Sequence, residues 1–204
     1  SLGGTGAMTL SGAISAGSNA VNFVNGANVT ATNTANSVGT ISLTNSAAIL
    51  KTTSAVTLNA SSLSGVTTIQ TVSADKDITV AGAISNNTNG NTLTLMASRD
   101  IYVNYNIAGA SGKSLNTYFY ANTDNNGSGG YAQTSAISTY GGSVIIGGGT
   151  NDTTTGCAAA FNCIAGYANG NTLTLSGNAI NTGAEIASTG SITAAGGNIA
   201  IYGI

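Results

Sequence analysis

The sequence has no proline, histidine or tryptophan, and charged side chains make up only 5% of its 204 residues. Ordinary soluble domains carry roughly 25% charged residues, so this composition is not typical of a cytoplasmic domain or an enzyme. With four Lys or Arg side chains and a formal charge of −2, the chain has no basic face for phosphate groups, and we expect no nucleic-acid partner. No apolar run approaches the roughly 18 residues of a membrane-spanning helix, so we also expect no membrane span.

The two cysteines, Cys157 and Cys163, lie close together in the phrase GCAAAFNC. Because the chain has no histidine and no other cysteine, it cannot supply all the ligands of a closed zinc site. We predict a local disulfide between the two cysteines, with two free thiols as the alternative. A disulfide implies an oxidising compartment.

Short alternation of apolar and small polar residues is the main feature that is present. Phrases such as ISL at residues 41–43, ITV at 78–80 and LTL at 93–95 have the period of two that is typical of strands, and no sustained apolar stripe has the period of a helix. Clusters of Asn, Gly and Ser separate the phrases and suit turns, because these residues tolerate positive φ. The pattern predicts an all-β chain with almost no helix.

Longer phrases also recur along the chain. The repeated pairs are NGNTLTL at residues 89–95 and 169–175, GAIS at 12–15 and 82–85, a basic residue with Asp-Ile-x-Val at 76–80 and 99–103, and Ile followed by Gly-Gly at 137–142 and 192–197. Repeats of roughly 20 to 25 residues built from short strands are typical of a solenoid whose coils stack on one another. We predict one parallel β-helix domain over residues 1–204, with roughly eight to ten coils and an inserted loop near residues 150–170.

A β-helix also gives a reason for the missing residue types. Equivalent side chains on successive coils stack one strand apart, so rows of like charge would repel one another. Proline would remove a hydrogen bond from a strand that is paired on both sides. We therefore interpret the scarcity of charge and the absence of proline as consequences of the fold.

The phrases NTLTLMASRDIYVNYNI and AISTYGGSVIIGGG, within residues 91–149, resemble the repeats of filamentous haemagglutinin-like exoproteins, which are exported by two-partner secretion. SADKDITVAGAIS and NTLTLSGNAINTGAEIASTGSITAAGGNIAI are similar to the same pattern, so the resemblance covers most of the chain. The resemblance implies a right-handed parallel β-helix, export through an outer-membrane partner, and a surface adhesin or filament. The family's secretion domain carries Asn-Pro motifs, and this chain, which has no proline, resembles the shaft instead.

Carboxylates are the only residues that suggest catalysis or metal binding. The six acids are Asp75, Asp77, Asp100, Asp124, Asp152 and Glu185. Asp77 and Asp100 occupy equivalent repeat positions, where a carboxylate that accepts backbone hydrogen bonds at a turn is favoured over a catalytic pair. Calcium binding by Asp124 and Asp152 lacks the glycine-rich nonapeptide pattern. We therefore predict no catalytic residues, no metal site and no cofactor.

Tyrosines are concentrated in one part of the sequence and form the candidate ligand face, which comprises Tyr102, Tyr105, Tyr118, Tyr120, Tyr131 and Tyr140. Aromatic rings on a rod offer large contact areas to sugars or to a partner protein. The alternative is that stacked tyrosines only cover the sheet.

Taken together, these features predict a non-enzymatic, extracellular structural or adhesive protein of the bacterial surface. The expected partner is a receptor or glycan on a host or neighbouring cell, bound by the inserted loop or by tyrosines. Neither end of the sequence carries a charge or a helical cap, so the chain is expected to be a segment of a longer rod or a subunit that stacks end to end into a filament. A carbohydrate-acting enzyme and an ice-binding protein are the remaining alternatives.

Overall fold

Short β-strands form all the regular secondary structure of the described residues. The computed structural model describes residues 1–24, 26, 28–124, 126, 128–148, 173–175, 178–180 and 183–202. Their strands are β1 Leu2–Gly3, β2 Ala7–Thr9, β3 Ser15–Val24, β4 Asn28–Ala31, β5 Ser37–Thr52, β6 Val56–Leu58, β7 Ser61–Leu63, β8 Thr67–Thr71, β9 Ile78–Val80, β10 Ile84–Asn86, β11 Asn91–Met96, β12 Ile101–Val103, β13 Ile107–Gly109, β14 Leu115–Ala121, β15 Tyr131–Gln133, β16 Ala136–Ser138, β17 Val144–Gly148, β18 Leu173–Leu175, β19 Asn178–Ile180, β20 Ala184–Ile186, β21 Ser191–Thr193 and β22 Ile199–Ile201. No helix in this part of the chain is long and apolar enough to cross a membrane.

The strands stack in parallel on three faces, so the predicted parallel β-helix is confirmed. The first face contains the starts of β3 and β5, then β6, β9, β12, β15 and β20. The second contains β1, the later part of β3, the middle of β5, then β7, β10, β13, β16 and β21. The third contains β2, β4, the end of β5, then β8, β11, β14, β17 and β22.

The described strands form fewer coils than the sequence predicts. Six consecutive coils lie between Ser15 and Gly148, β20 to β22 form a seventh, and β1 and β2 form part of one more. The prediction of roughly eight to ten coils divided the whole length by one repeat, although the corners between strands differ in length. Of the described strands, β18 and β19 pair antiparallel with each other and are not part of the parallel stack.

In the parallel stack, inward-pointing side chains of equivalent strands form columns along the rod. On the second face, one column contains Ile84, Ile107, Ile137 and Ile192, and the first three are at most 1% exposed. Burying one isoleucine stabilises the fold by about 1.5–3 kcal/mol relative to leaving it in water. Because neighbouring coils contribute equivalent residues, the core is continuous along the stack.

Two of the repeated phrases are structurally equivalent. Ile101 pairs with Ile78 and Val103 with Val80, so residues 76–80 and 99–103 occupy the same position on successive coils. Likewise Ile137 pairs with Ile192, so the 137–142 and 192–197 phrases also stack.

The other two repeated phrases are not equivalent, which corrects the sequence-based alignment. In the GAIS pair, Ser15 begins a strand of the first face, whereas Ser85 lies in a strand of the second. In the NTLTL pair, β11 is stacked on the third face, whereas β18 belongs to the antiparallel pair. Short phrases of this kind encode strand and turn propensity, which every face requires, so they do not identify a face.

The predicted insertion lies between the sixth and seventh coils. Val144 of the sixth coil pairs with Ile199 of the seventh, and the neighbouring residues Ser143 and Asn198 are hydrogen-bonded to each other. Ser143 and Asn198 are 55 positions apart in the sequence. By comparison, Asp77 and Asp100, which also lie on successive coils, are 23 positions apart. The coil that joins β17 to β20 therefore contains additional sequence. Residues 150–170, with Cys157 and Cys163, lie outside the described residues, and the disulfide stays a prediction.

Candidate functional site: the charged corner

Most of the charge in this chain is concentrated at one corner of the rod, where the third face turns into the first. We call residues 72–77, 97–100, 122–124, 126 and 128–130, which occupy this corner on three successive coils, the charged corner. It holds six of the ten charged residues, Asp75, Lys76, Asp77, Arg99, Asp100 and Asp124. Asp77 and Asp100 lie one above the other on successive coils, and the positive charge of Arg99 lies beside both carboxylates, which offsets their repulsion.

An ion pair between coils organises this corner. Arg99 donates from Nε to Asp77 Oδ1 (2.7 Å) and from a terminal nitrogen to Asp77 Oδ2 (2.6 Å), which is a bidentate arrangement. The hydrogen bond to Asp77 is the largest cause of a pKa of Arg99 above its usual range. The Arg99 side chain is 40% exposed, so solvent screens part of this attraction.

Asp77 and Asp100 both accept backbone hydrogen bonds, as predicted. The N–H of Asp100 donates to Asp77 Oδ1 (3.1 Å), and the N–H of Gly130 donates to Asp100 Oδ1 (2.9 Å). Each carboxylate therefore joins its own coil to the next one. This use of the oxygens fits a structural role at the turn.

Asp100 is the buried member of the corner. Its other oxygen, Oδ2, accepts a hydrogen bond from the Tyr102 hydroxyl (3.1 Å) and lies 3.4 Å from Arg99 Nε. Burial raises the pKa of Asp100 above its ordinary value, and the Gly130 N–H opposes that shift. Burial, followed by the nearby Asp100 carboxylate, raises the pKa of Tyr102. Proton release from either group is therefore disfavoured by its surroundings.

The exposed acids of this corner are bridged by an amide. Asn126 Nδ2 donates to Asp75 Oδ1 (3.2 Å) and to Asp124 Oδ2 (3.1 Å). Glu185 lies elsewhere, on β20 of the first face, and Asp152 is outside the described residues. In the part of the chain that the structure describes, no group of three or more His, Cys, Asp or Glu is arranged to hold a metal ion.

The six tyrosines of the candidate ligand face do not share a face. Tyr102 points outward on the first face, whereas Tyr118 and Tyr120 point outward on the third face, where both are only 8% exposed and pack with Ile145. Tyr105 and Tyr140 lie at two different corners and are 51% and 45% exposed. Of these six tyrosines, Tyr105 and Tyr140 are the two whose rings are about half exposed to solvent.

Tyr131 is a core residue, and its assignment to a ligand face is wrong. It is fully buried, its hydroxyl donates to Gln133 Oε1 (2.8 Å), and its ring centroid lies 5.3 Å from that of Phe119. Its pairing with Ile101 places it in the inward column of the first face. The three-residue strand β15 is too short for its alternation alone to identify the inward positions, so the sequence carried no clear signal.

A groove on the outer side of the third face was not predicted from the sequence. It has a volume of about 210 Å³ and is lined by Asn28, Thr30, Ala47, Ile49 and Val66, among others. Ile49 and Val66 are 39% and 56% exposed. Because single exposed apolar residues are common, only their position on neighbouring coils could have suggested this groove.

Comparisons with protein-family models, with curated proteins and with solved structures give no match. The resemblance to filamentous haemagglutinin-like exoproteins therefore rests on the sequence phrases quoted above.

Proposed function

We propose that this chain is a non-enzymatic structural and adhesive rod, the shaft of an extracellular, cell-surface protein of the filamentous haemagglutinin-like type. The observation that supports the proposal is the uninterrupted stack of six coils with one continuous core. In such a stack the hydrogen bonds between strands run along the axis of the rod. A pull along the rod is therefore shared by all three faces.

The use of the charged residues is consistent with a structural role. Asp77 and Asp100 hold the backbone of the following coil, and Arg99 joins the two carboxylates. A catalytic carboxylate would need oxygens that are free to reach a substrate. The arrangement favours a shaft over an enzyme.

Adhesion requires side chains that can reach a partner, and the exposed tyrosines are suitable. Tyr105 and Tyr140 offer aromatic surface at two corners. We propose that they contact a receptor or glycan on a host or neighbouring cell. Export by two-partner secretion is part of the same proposal and derives from the family resemblance.

Binding and turnover should be measured on the same purified chain. We expect saturable binding to cells or glycan arrays and no cleavage of acidic or neutral polysaccharides. Changing both Tyr105 and Tyr140 to Ala should weaken binding, whereas Val66→Ala, at an equally exposed position on the third face, should not. Turnover of any polysaccharide would contradict the non-enzymatic role, and a lack of binding to any surface would contradict the adhesive one.

A second candidate is a subunit that stacks end to end into an extracellular filament. The observation that favours it is the parallel, in-register stacking of equivalent strands on successive coils, because the same kind of contact can join one copy to the next.

A further inference from the structure

One corner of the rod carries an exposed aromatic ring and an exposed ammonium group on neighbouring coils. We call residues 87–90, 110–114 and 139–143, which join the second face to the third on three successive coils, the Tyr140 corner. Tyr140 lies on the last of these coils and is 45% exposed. Lys113 lies on the coil before it, and its Nζ donates to the carbonyl of Asn87 on the first of the three (2.6 Å).

The backbone of this corner does not require a tyrosine at position 140. The N–H of Gly142 donates to the carbonyl of Thr139 (3.1 Å), which closes a four-residue turn. Tyr140 and Gly141, its central residues, have positive φ values of 48° and 96°. Such a turn favours Asn, Asp or Gly at its first central position, and a bulky residue is strained there. Ala195 has the same conformation (φ 49°) in the equivalent turn of the seventh coil, so the aromatic ring does not cause it.

The ring of Tyr140 is supported by the coil below it. Its Cδ2 is 3.4 Å from the point that a Cβ on Gly109 would occupy, and the carbonyl oxygen of Lys113 is 2.6 Å from the same point. The glycine therefore leaves the space in which the tyrosine ring and the backbone of Lys113 approach each other. Strained residues that the fold holds in place are concentrated at functional sites, and the exposed part of this ring offers a flat apolar surface to a ligand.

The ammonium group of Lys113 has no carboxylate partner among the described residues, where both ion pairs belong to Arg99. Four of the six acids lie at the charged corner, at the other end of the third-face strands. Glu185 lies on the first face, and Asp152 is outside the described residues. The positive charge beside Tyr140 can therefore pair with an anionic group of a ligand.

The other exposed side chains of the corner are neutral and polar. Thr88, Asn89 and Ser111 present hydroxyl and amide groups to solvent, and such groups can bond to the hydroxyls of a sugar. Asn89 Oδ1 accepts a hydrogen bond from the N–H of Ser114 on the next coil (2.9 Å), which fixes the position of this amide. One cation matches one anionic group, and the net charge of −2 opposes the approach of a polyanion.

We propose that the Tyr140 corner binds a sugar unit that carries one carboxylate, with the sugar ring on Tyr140 and the carboxylate at the Lys113 ammonium. The inference rests on the adhesive role proposed above and names the class of glycan. A small exposed site of this kind binds one sugar unit weakly, with a dissociation constant of about 1 mM. Cell surfaces present many sugar units, so several weak contacts act together.

The test is a titration of the 204-residue protein with two disaccharides, followed by the NMR shifts of its backbone amides. One disaccharide ends in glucuronic acid, and the other is identical except that it ends in glucose. Both should shift amides of the Tyr140 corner. The acidic disaccharide should bind about fivefold more tightly, because it adds one exposed charge contact. This preference should decrease as the salt concentration rises.

Three variants separate the ring from the charge. Tyr140→Asn should abolish binding of both disaccharides and leave the free energy of unfolding equal or higher, because Asn is favoured at this turn position. Lys113→Gln should remove only the preference for the acidic disaccharide. Lys51→Gln is the matched control: it removes a lysine from β5 of the third face, outside the Tyr140 corner, and should bind like the parent chain.

Three results would overturn the inference: no saturable binding of the acidic disaccharide, equal affinity of the parent chain for both disaccharides, or a large loss of stability in Tyr140→Asn. The last result would show that the ring serves to hold the coils together. The cell-binding assay of the proposed function is independent of this titration. A chain that binds cells but not the acidic disaccharide refutes only the carboxylated sugar, whereas a chain that binds this disaccharide but no cell surface refutes only adhesion.

Discussion

At the scale of single residues, Arg99 shows how the chain uses a rare charge. It is the one arginine in the sequence, and its guanidinium group donates two hydrogen bonds to Asp77 on the preceding coil. The 23-residue repeat predicted that Asp77 and Asp100 lie on neighbouring coils, and the structure confirms it. The repeat did not predict which carboxylate binds Arg99, because that choice depends on how the corner folds around the side chain.

Replacing Arg99 with Lys should lower the free energy of unfolding by about 1 kcal/mol, because lysine cannot form the two parallel hydrogen bonds and the site is partly screened by solvent. Urea denaturation followed by circular dichroism measures the change. Lys113→Arg provides a control, since Lys113 Nζ donates to the exposed carbonyl of Asn87 (2.6 Å) and forms no bidentate pair with a carboxylate. An equal loss in both variants would argue against a specific role for the bidentate pair.

Stability should also depend on pH through Asp100. Burial raises the pKa of this carboxyl in the folded state above its ordinary value of 3.8, so the folded chain holds the proton more tightly than the unfolded chain. The contribution of Asp100 to stability is therefore present below pH 3.8 and is lost as the pH rises through the raised value.

The matching variants are Asp100→Asn and Asp77→Asn. Asp100→Asn should flatten this part of the pH dependence and leave stability at pH 7 unchanged or higher, because the buried charge is removed. Asp77→Asn should lower stability at pH 7, because Arg99 loses its bidentate partner. Chemical denaturation at several pH values between 3 and 8 compares them. If Asp100→Asn is the more destabilising of the two at neutral pH, burial of the carboxylate is not the dominant effect.

At the scale of elements, glycine decides how closely successive corners approach. A Cβ on Gly142 would overlap the carbonyl of Leu115, and a Cβ on Gly197 would overlap the carbonyl of Gly142. The repeated Gly-Gly phrase therefore marks a corner where the backbones of neighbouring coils touch. The sequence revealed the repeat, but only the stacking shows why the second glycine of each pair is required.

Gly142→Ala should destabilise the chain by about 2–4 kcal/mol, because the methyl group meets backbone that cannot move aside without breaking the stack. Thermal or urea unfolding measures the loss. Gly12→Ala is the matched control: nothing lies within 4 Å of its Cβ position, and its φ is not in the left-handed region. We expect Gly12→Ala to be neutral or slightly stabilising. Equal effects at both positions would contradict the close approach of the backbones.

At the scale of the whole molecule, the position of a coil in the stack determines how much its core side chains contribute to the free energy of unfolding. Ile107 is paired on both sides, by Ile84 and Ile137, and is fully buried. Ile199 is paired by Val144 on one side and is 48% exposed. The same side chain in the same kind of strand therefore has two different environments.

Ile107→Ala should lower the free energy of unfolding by about 2–5 kcal/mol, because it leaves a cavity that the neighbouring coils cannot fill. Ile199→Ala should cost less than half as much, because its side chain is half hydrated before the change. Urea unfolding at concentrations where the chain is monomeric compares the two variants. Similar losses in the two variants would contradict the difference in burial between Ile107 and Ile199.

The sequence by itself determined that the chain is a β-solenoid. Alternation, turn residues, the repeat and the absence of proline are local properties, and each reflects a requirement that every coil must meet. The tertiary structure decided which repeated phrases share a face, that Tyr131 is inside while Tyr102 is outside, and that Arg99 binds Asp77. These outcomes depend on which residues lie one coil above and below, and that register is set by the lengths of the corners and by packing, which a period of two does not encode.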